Sequence, residues 1–475
     1  MAAIITQKMK SLLMNQLKAD ADSSANKYYI GIGRTEDWND TDTEPTPVIT
    51  DREERDFRLS MQSAKLAANY SFVIPRINWS SGTTYGQYDD TVVSHPTQPY
   101  YAMTDNNQVY VCLRQSRNSA GVAQPSTVAP SGTASVPFTT SDGYAWKFLY
   151  TVGVLDNTNF TSANFIPVKK VRILDTDGSG NITSTATDQL QKTTQDAAIA
   201  GPICGIDITN AGAGYSSAPT VTLVGNGVYA NASATVSGGA VVKVVIDDDS
   251  AAGVQGIRMG YGYNYAHVAF SGGGSPTTTA AARVILGPKS GFGADPRDDL
   301  RSKAMMFNIQ PAGTEGADQT QPSFNVGEFH VGTSFRQIGL LKNPLDSEGA
   351  AFTGTSGNVL HRLKLDTDNG VIVAFTKGST MTGGTSGAKA IVGDTDSDEI
   401  WYHQNETTGF TAFDSAEEVT DLAGGIGFVD SDNNTTISKT AKIDKFSGDL
   451  LYIENRAKVI RSVDQTEDIK VIIEI

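Results

Sequence analysis

Apolar positions along this chain fall in short, mostly alternating runs broken by glycine, proline and polar turns, which predicts many brief strands and few helices. The start is an exception. Ile4, Ile5, Met9, Leu12, Leu13 and Leu17 recur on one helical face, ahead of a polar stop from Lys18 to Ser24. Tyr28–Gly33 reads as a strand, and Pro45 and Pro47 mark an extended link. A second helix is expected from Thr50 or Asp51, either of which can cap it, with Glu53 and Glu54 in its first turn. Its pattern runs to about Asn69. Val73–Trp79 and Tyr88–Val93 follow as extended segments. Tyr100–Met103 and Val109–Leu113 form a predicted hairpin across Asp105-Asn106-Asn107. Asp142-Gly143 then opens a strand that puts Tyr144, Trp146, Phe148 and Tyr150 on one face.

From about residue 175 the composition shifts towards Gly, Ala, Val and Thr. Ile208–Tyr215 with Ala218–Leu223 has an echo in Gly260–Tyr265 with Val268–Phe270, and each copy continues into an Ala-rich strand, which suggests a twofold β-repeat of about 50 residues. Core-like sequence returns near Asp298 and includes Phe335–Leu345. A second β-rich stretch contains eleven acidic residues and no Lys or Arg between Ala390 and Ser438, a pattern expected of a solvated face. The end, Ser447–Arg456 and then Lys470–Ile475, reads as two strands joined by a charged link, with the terminal Ile475 expected to be buried. The predicted organisation is a discontinuous, sandwich-like, mainly β (α+β) body with a few N-terminal helices. It comprises residues 1–174, 295–350 and 445–475, interrupted by inserted β-rich domains at 175–294 and 351–444.

A chain of 475 residues exceeds one ordinary core, so two to four domains are expected. The 37 basic and 52 acidic residues leave a net charge of −15, which disfavours non-specific binding to nucleic acid or anionic membrane. No apolar run approaches the roughly 20 residues that span a bilayer. Polar residues interrupt Met1–Leu17, so no signal-peptide core forms there. Cys112 and Cys204 lie far apart among apolar neighbours and are expected as buried free thiols. The protein is expected to be made in a cytoplasm.

Candidate chemistry is sparse. Asp175-Thr176-Asp177-Gly178-Ser179-Gly180-Asn181-Ile182 matches the first eight positions of a calcium loop, with oxygens from Asp175, Asp177 and Ser179. Its twelfth position is Ala186 where a bidentate glutamate is needed, and Val168–Leu174 reads as a strand in place of the preceding helix. An exposed Asp/Gly turn fits better. Gly212-Ala213-Gly214 and Gly225-Asn226-Gly227 lead into β sequence, so neither completes a dinucleotide fingerprint. His95, His267, His330, His361 and His403 share no metal-ligand spacing, and no nucleophile elbow occurs. Nothing singles out a pair of carboxylates for glycosidase chemistry. Trp38, Trp79 and Trp146 are expected as core or interface anchors in preference to sugar platforms. No catalytic, cofactor-binding or metal-binding residue is assigned.

Several short motifs nevertheless occur in a telling order: Gly33-Arg34-Thr35-Glu36-Asp37-Trp38, Ile74-Pro75-Arg76-Ile77-Asn78-Trp79, Asp142-Gly143-Tyr144-Ala145-Trp146, Phe335-Arg336-Gln337-Ile338, Asn343-Pro344-Leu345, Tyr452-Ile453-Glu454-Asn455-Arg456 and Asp464-Gln465-Thr466-Glu467. Together they resemble the baseplate wedge protein encoded by gene eight of T-even-like contractile-tailed phages, over roughly half the chain. The two Gly-rich stretches exceed what shorter members of that family carry. The resemblance implies a non-enzymatic structural subunit of the virion, assembled in the host cytoplasm as a homodimer within each baseplate wedge of a myovirus tail. It would contact other wedge proteins through large obligate interfaces, above roughly 2,000 Å² in total, and pass on the rearrangement of the plate during infection. Trp38, Trp79, Trp146 and Arg456 would then be framework residues. The alternative is a receptor- or carbohydrate-binding tail protein acting through the Gly-rich inserts.

Overall fold

The computed structural model describes residues 6–91, 98–249, 256–312, 329, 332–431, 442–462 and 467–475. With 39 % strand against 11 % helix the chain is mainly β, built of several antiparallel sheets that close no barrel among the described residues. It divides into two compact units, one formed by Met1–Met14, Ser71–Met305 and Glu474–Ile475, the other by Asn15–Tyr70 and Met306–Ile473.

The second unit holds a five-stranded antiparallel sheet in the order Ser356–Asn358, Met61–Leu66, Tyr28–Gly33, Ser334–Lys342, Asp449–Ile460. Strands from distant parts of the sequence are therefore direct neighbours, with Ile30 opposite Leu340 and Leu340 opposite Tyr452. The helix Asp51–Ser60 lays Phe57 against one face, where Tyr29, Met61, Leu341, Phe352 and Ile443 complete a buried core. Gly339 permits that approach, because a Cβ there would stand 2.4 Å from the Phe57 ring. Thr50 caps the helix by accepting from the Glu53 N–H at 3.2 Å, as its sequence position predicts. The helix stops at Ser60, well short of Asn69. From Met61 the chain is extended and pairs with Tyr28–Gly33, and cross-strand burial of Met61 and Ala64 overrides helical propensity.

Residues 361–428 of the same unit form a six-stranded antiparallel sheet, ordered His361–Lys364, Glu399–His403, Lys389–Thr395, Thr380–Gly383, Glu418–Asp421, Ile426–Phe428. Leu363, Met381, Val392, Ile400 and Val419 are buried in its core. The acidic stretch is not a uniformly solvated face. Asp394, Glu399, Glu417 and Asp421 are all buried. Arg362 pairs with Glu399 at 2.5 Å, and Lys377 pairs with Asp394. The Glu417 carboxylate accepts from the N–H groups of Thr385, Ser386 and Asp414 at 2.7–3.0 Å, and Asp421 accepts from those of Thr376, Ala423 and Gly425 at 2.7–3.0 Å. Turn amides take the place of basic side chains at these two carboxylates.

In the first unit, Tyr101–Met103, Gln108–Arg114, Ala145–Thr151 and Phe138–Thr139 form a four-stranded antiparallel sheet. Its core is aromatic. Tyr85 meets Trp146 edge-on at 5.3 Å, Tyr144 stacks on Trp146 at 5.8 Å, and Tyr110 and Phe148 extend the cluster. Residues 203–286 form nested antiparallel pairs: Ile203–Asn210 with Ala281–Leu286, Thr220–Gly225 with Ala266–Ser271, and Val228–Ala230 with Met259–Tyr261. Of the two copies of the sequence echo, Val221–Leu223 pairs with Val268–Phe270, whereas Ile208 and Tyr261 pair outside the echo, with Ala282 and Val228. Arg283 bonds Asp207 opposite it in the outermost pair and ties that pair to Asp89 and Asp90, all at 2.6–3.1 Å.

The chain ends depart from expectation in detail. The first helix is Gln7–Asp22, and Met9, Leu12 and Leu13 on its expected inner face are 46 %, 60 % and 38 % exposed, whereas Met14 is buried. Ile4 and Ile5 lie outside the described residues. In the last strand, Ile469–Glu474, alternation buries Ile469 and Val471, and Ile475 remains 38 % exposed.

Candidate functional site

Three of the ordered motifs converge in the second unit. The segment after Gly33 leaves the sheet through Arg34, at φ +62°, and its guanidinium lies 4.2 Å over the Trp38 ring. Trp38 Nε1–H donates to the Arg456 carbonyl at 2.9 Å. Arg336, fully buried in its strand, donates to the Thr35 carbonyl and to Asp42 at 2.6 and 2.8 Å, and also pairs with Asp37. Glu36 sits beside His403 Nε2 at 3.3 Å and accepts from Asn405 at 3.2 Å. Burial opposes the charge on Glu36, but His403 and Arg34 more than offset it and hold the carboxyl at about 2. Asn455 bridges the Pro45 carbonyl and Glu53 at 3.1 Å each. Of the last motif only Glu467 is described, and it is buried against Arg461 at 2.9 Å. These side chains lock a loop, a helix and a strand end together, although Arg34 Nε and Thr35 Oγ1 are buried there without a hydrogen bond.

The strand they support is open. Asp449–Ile460, twelve residues long, ends the five-stranded sheet and pairs only with Ser334–Lys342 among the described residues. An unpaired edge of this length presents a row of backbone donors and acceptors to any partner strand. Beside it lies a groove of about 310 Å³ lined by Pro47–Asp51 and Glu54 on one side and Leu450–Ile453 on the other. Val48, Ile49 and Leu451 are exposed there. Pro45 and Pro47 keep the flanking link from pairing as a strand, so it leaves the sheet edge uncovered at Leu450–Ile453. Buried Arg58 anchors the segment that leads into this strand, donating to the carbonyls of Lys445, Ser447 and Gly448 at 2.8–2.9 Å.

Two further motifs, Ile74–Trp79 and Asp142–Trp146, lie in the first unit, whereas Asn343-Pro344-Leu345 follows the strand Ser334–Lys342 in the second. Trp146 is fully buried, and Trp79 is half-buried with Nε1–H donating to Ser126 Oγ at 3.2 Å. Asp142 accepts from the Thr127 and Val128 N–H groups at 2.9 and 3.0 Å, closing the loop ahead of the aromatic strand. The Asp175–Ile182 segment is a tight exposed turn in which Asp177 spends both carboxylate oxygens on Ser179 and Asn181 at 2.8 Å. Residues 168–174 are not a strand. Their backbone is held by side-chain amides of the helix Ala186–Asp196, with Gln195 bonding both backbone groups of Val171 and Gln191 reaching the Lys169 carbonyl. That helix has no apolar stripe and so escaped sequence reasoning.

Both cysteines are buried free thiols, pushed up by burial. His361 and His403 stand on paired strands, His267 lies on Ala266–Ser271, and His95 and His330 fall outside the described residues. No cluster of three or more potential metal ligands occurs among the described residues. No described helix is long and apolar enough to cross a membrane. Compared with models of known protein families and with the curated proteins, the chain has no match.

Proposed function

We propose that the protein is a structural subunit of a phage tail baseplate wedge, joining neighbouring wedge proteins and carrying out no catalysis. The resemblance of its ordered motifs to the gene-eight wedge family motivates the reading. One observation carries it: side chains from three distant motifs lock a framework whose outermost strand, Asp449–Ile460, has no partner on its outer side among the described residues and borders a groove with exposed Val48, Ile49 and Leu451. A protein that couples subunits needs this combination of a rigid base and an unpaired edge for β-augmentation. The partners are a second copy of the chain and other wedge proteins, and the uncovered face of Gln7–Asp22 with Met9, Leu12 and Leu13 offers a further contact surface. The site of action is the virion, after assembly in the host cytoplasm. Electron microscopy of the intact particle tests this. Two copies per wedge inside the plate are expected; density at the fibre tips would overturn the assignment in favour of receptor binding.

A further inference from the structure

A cavity of about 490 Å³ opens in the first unit between the aromatic-cored sheet and the nested Gly-rich strands. That volume is in the range that holds small molecules. Val136, Pro137, Ile199, Met259 and Phe292 give it a mainly apolar wall. Tyr229 and Tyr261 also line it and are 76 % and 49 % exposed, with ring centroids 5.6 Å apart, so they stand at its opening. Tyr229 holds φ +68°, an uncommon conformation for an aromatic residue and of the strained kind that gathers at ligand sites.

Two cations, Lys147 and Arg258, line the cavity, and Lys147 comes to it from a buried strand. Lys147 lies on Ala145–Thr151, where every residue but the last is buried, and strand alternation turns it away from the face of Trp146 and Phe148. Its ammonium donates to the Ser135 carbonyl and forms no ion pair with any described carboxylate. The acid that influences it most, Asp299, is buried, accepts from the Gly293 N–H at 2.6 Å, and is pushed well above the usual carboxylate range by burial. A buried ammonium that lines an apolar cavity, bonds a carbonyl and forms no ion pair among the described residues is placed to receive an anion.

We propose that this cavity binds a small amphipathic monocarboxylate, its apolar body against Val136, Ile199, Met259 and Phe292 and its carboxylate on the Lys147 ammonium. The site is independent of the wedge role. The probes are octanoate and its neutral counterpart 1-octanol, titrated calorimetrically into the full chain near pH 7. Saturable octanoate binding at one site is expected, with octanol at least about tenfold weaker, the scale of one charge-assisted contact. Lys147→Met should abolish the preference for the carboxylate while octanol still binds. Val136→Trp, at a partly exposed wall position, should block both. Burial lowers the Lys147 amine to about 8, so octanoate affinity should fall towards tenfold per pH unit above that value. Absence of saturable octanoate binding up to about 10 mM overturns the proposal. So does equal binding of octanoate by wild type and Lys147→Met. Should Lys147→Met fail to fold, octanoate binding that is unchanged by Val136→Trp and flat between about pH 7 and 10 overturns it just as firmly.

Discussion

Replacing His361 by glutamine should flatten the stability of the second unit between neutral pH and pH 5. His361 lies on the outermost strand of the six-stranded sheet, opposite Tyr402, with the two ring centroids 5.7 Å apart. Burial, then the charge of Lys445, then His403, push its imidazole from 6.5 down to about 4. Because the folded value lies below the unfolded one, the unfolded chain takes up the proton first as pH falls. Stability is therefore lost across the window from about 6.5 to about 4 and levels off below it. At about 1.4 kcal/mol per pH unit the full window is worth about 3 kcal/mol, and the part above pH 5 about 2 kcal/mol. Carboxylates titrate mainly below pH 5, so the upper part of the window reports on the histidine. Thermal unfolding followed by circular dichroism at pH 7, 6 and 5 is the assay. For a unit of this size, wild type should lose roughly 4–8 °C more than the variant between the extremes. Parallel profiles for wild type and His361→Gln would refute the reasoning.

Three further outcomes follow from the same structure. Glu417→Gln removes the charge from a carboxylate held by turn amides and should cost about 2–3 kcal/mol at neutral pH in urea unfolding. The folded carboxyl lies below its ordinary 4.5, where hydrogen bonds to Ser386, Asp414 and Thr385 outweigh the opposing effect of burial, so this stabilisation exists above 4.5 and fades as pH falls through the folded value. Asp42→Asn should destabilise more than Arg336→Met, because it strips a partner from a fully buried guanidinium, at a cost of order 3 kcal/mol, whereas Asp37 and Asp42 can reach water when the arginine is gone; the reverse order in paired denaturation curves would contradict this. Leu451→Lys should leave the circular dichroism spectrum unchanged yet abolish, in sedimentation velocity, the self-association proposed above, since it places a charge on an exposed residue of the edge strand.

What could be read from sequence divides along a physical line. Strands whose alternation is local, such as Tyr28–Gly33 and the aromatic run to Tyr150, were legible because each side chain's face follows from its neighbours. Features set by distant partners were not. The helix from Asp51 stops at Ser60 because Met61–Leu66 finds a strand to pair with, and the helix Ala186–Asp196 buries Gln191, Thr194 and Gln195, leaving no apolar stripe to detect. Glu417 and Asp421 looked solvated because their partners are backbone amides, which composition does not record. Trp38, Arg336 and Arg456 were marked only by motif order, and their convergence needed the sheet register. Lys147 is the instructive case. Ala145-Trp146-Lys147-Phe148-Leu149-Tyr150 is apolar on both sides of the lysine, and a strand apolar on both faces is covered on both faces. Its lysine must then be buried, and a buried amine must find a partner or a cavity. That inference was available before any coordinates, from the phase of one cation in an otherwise apolar strand.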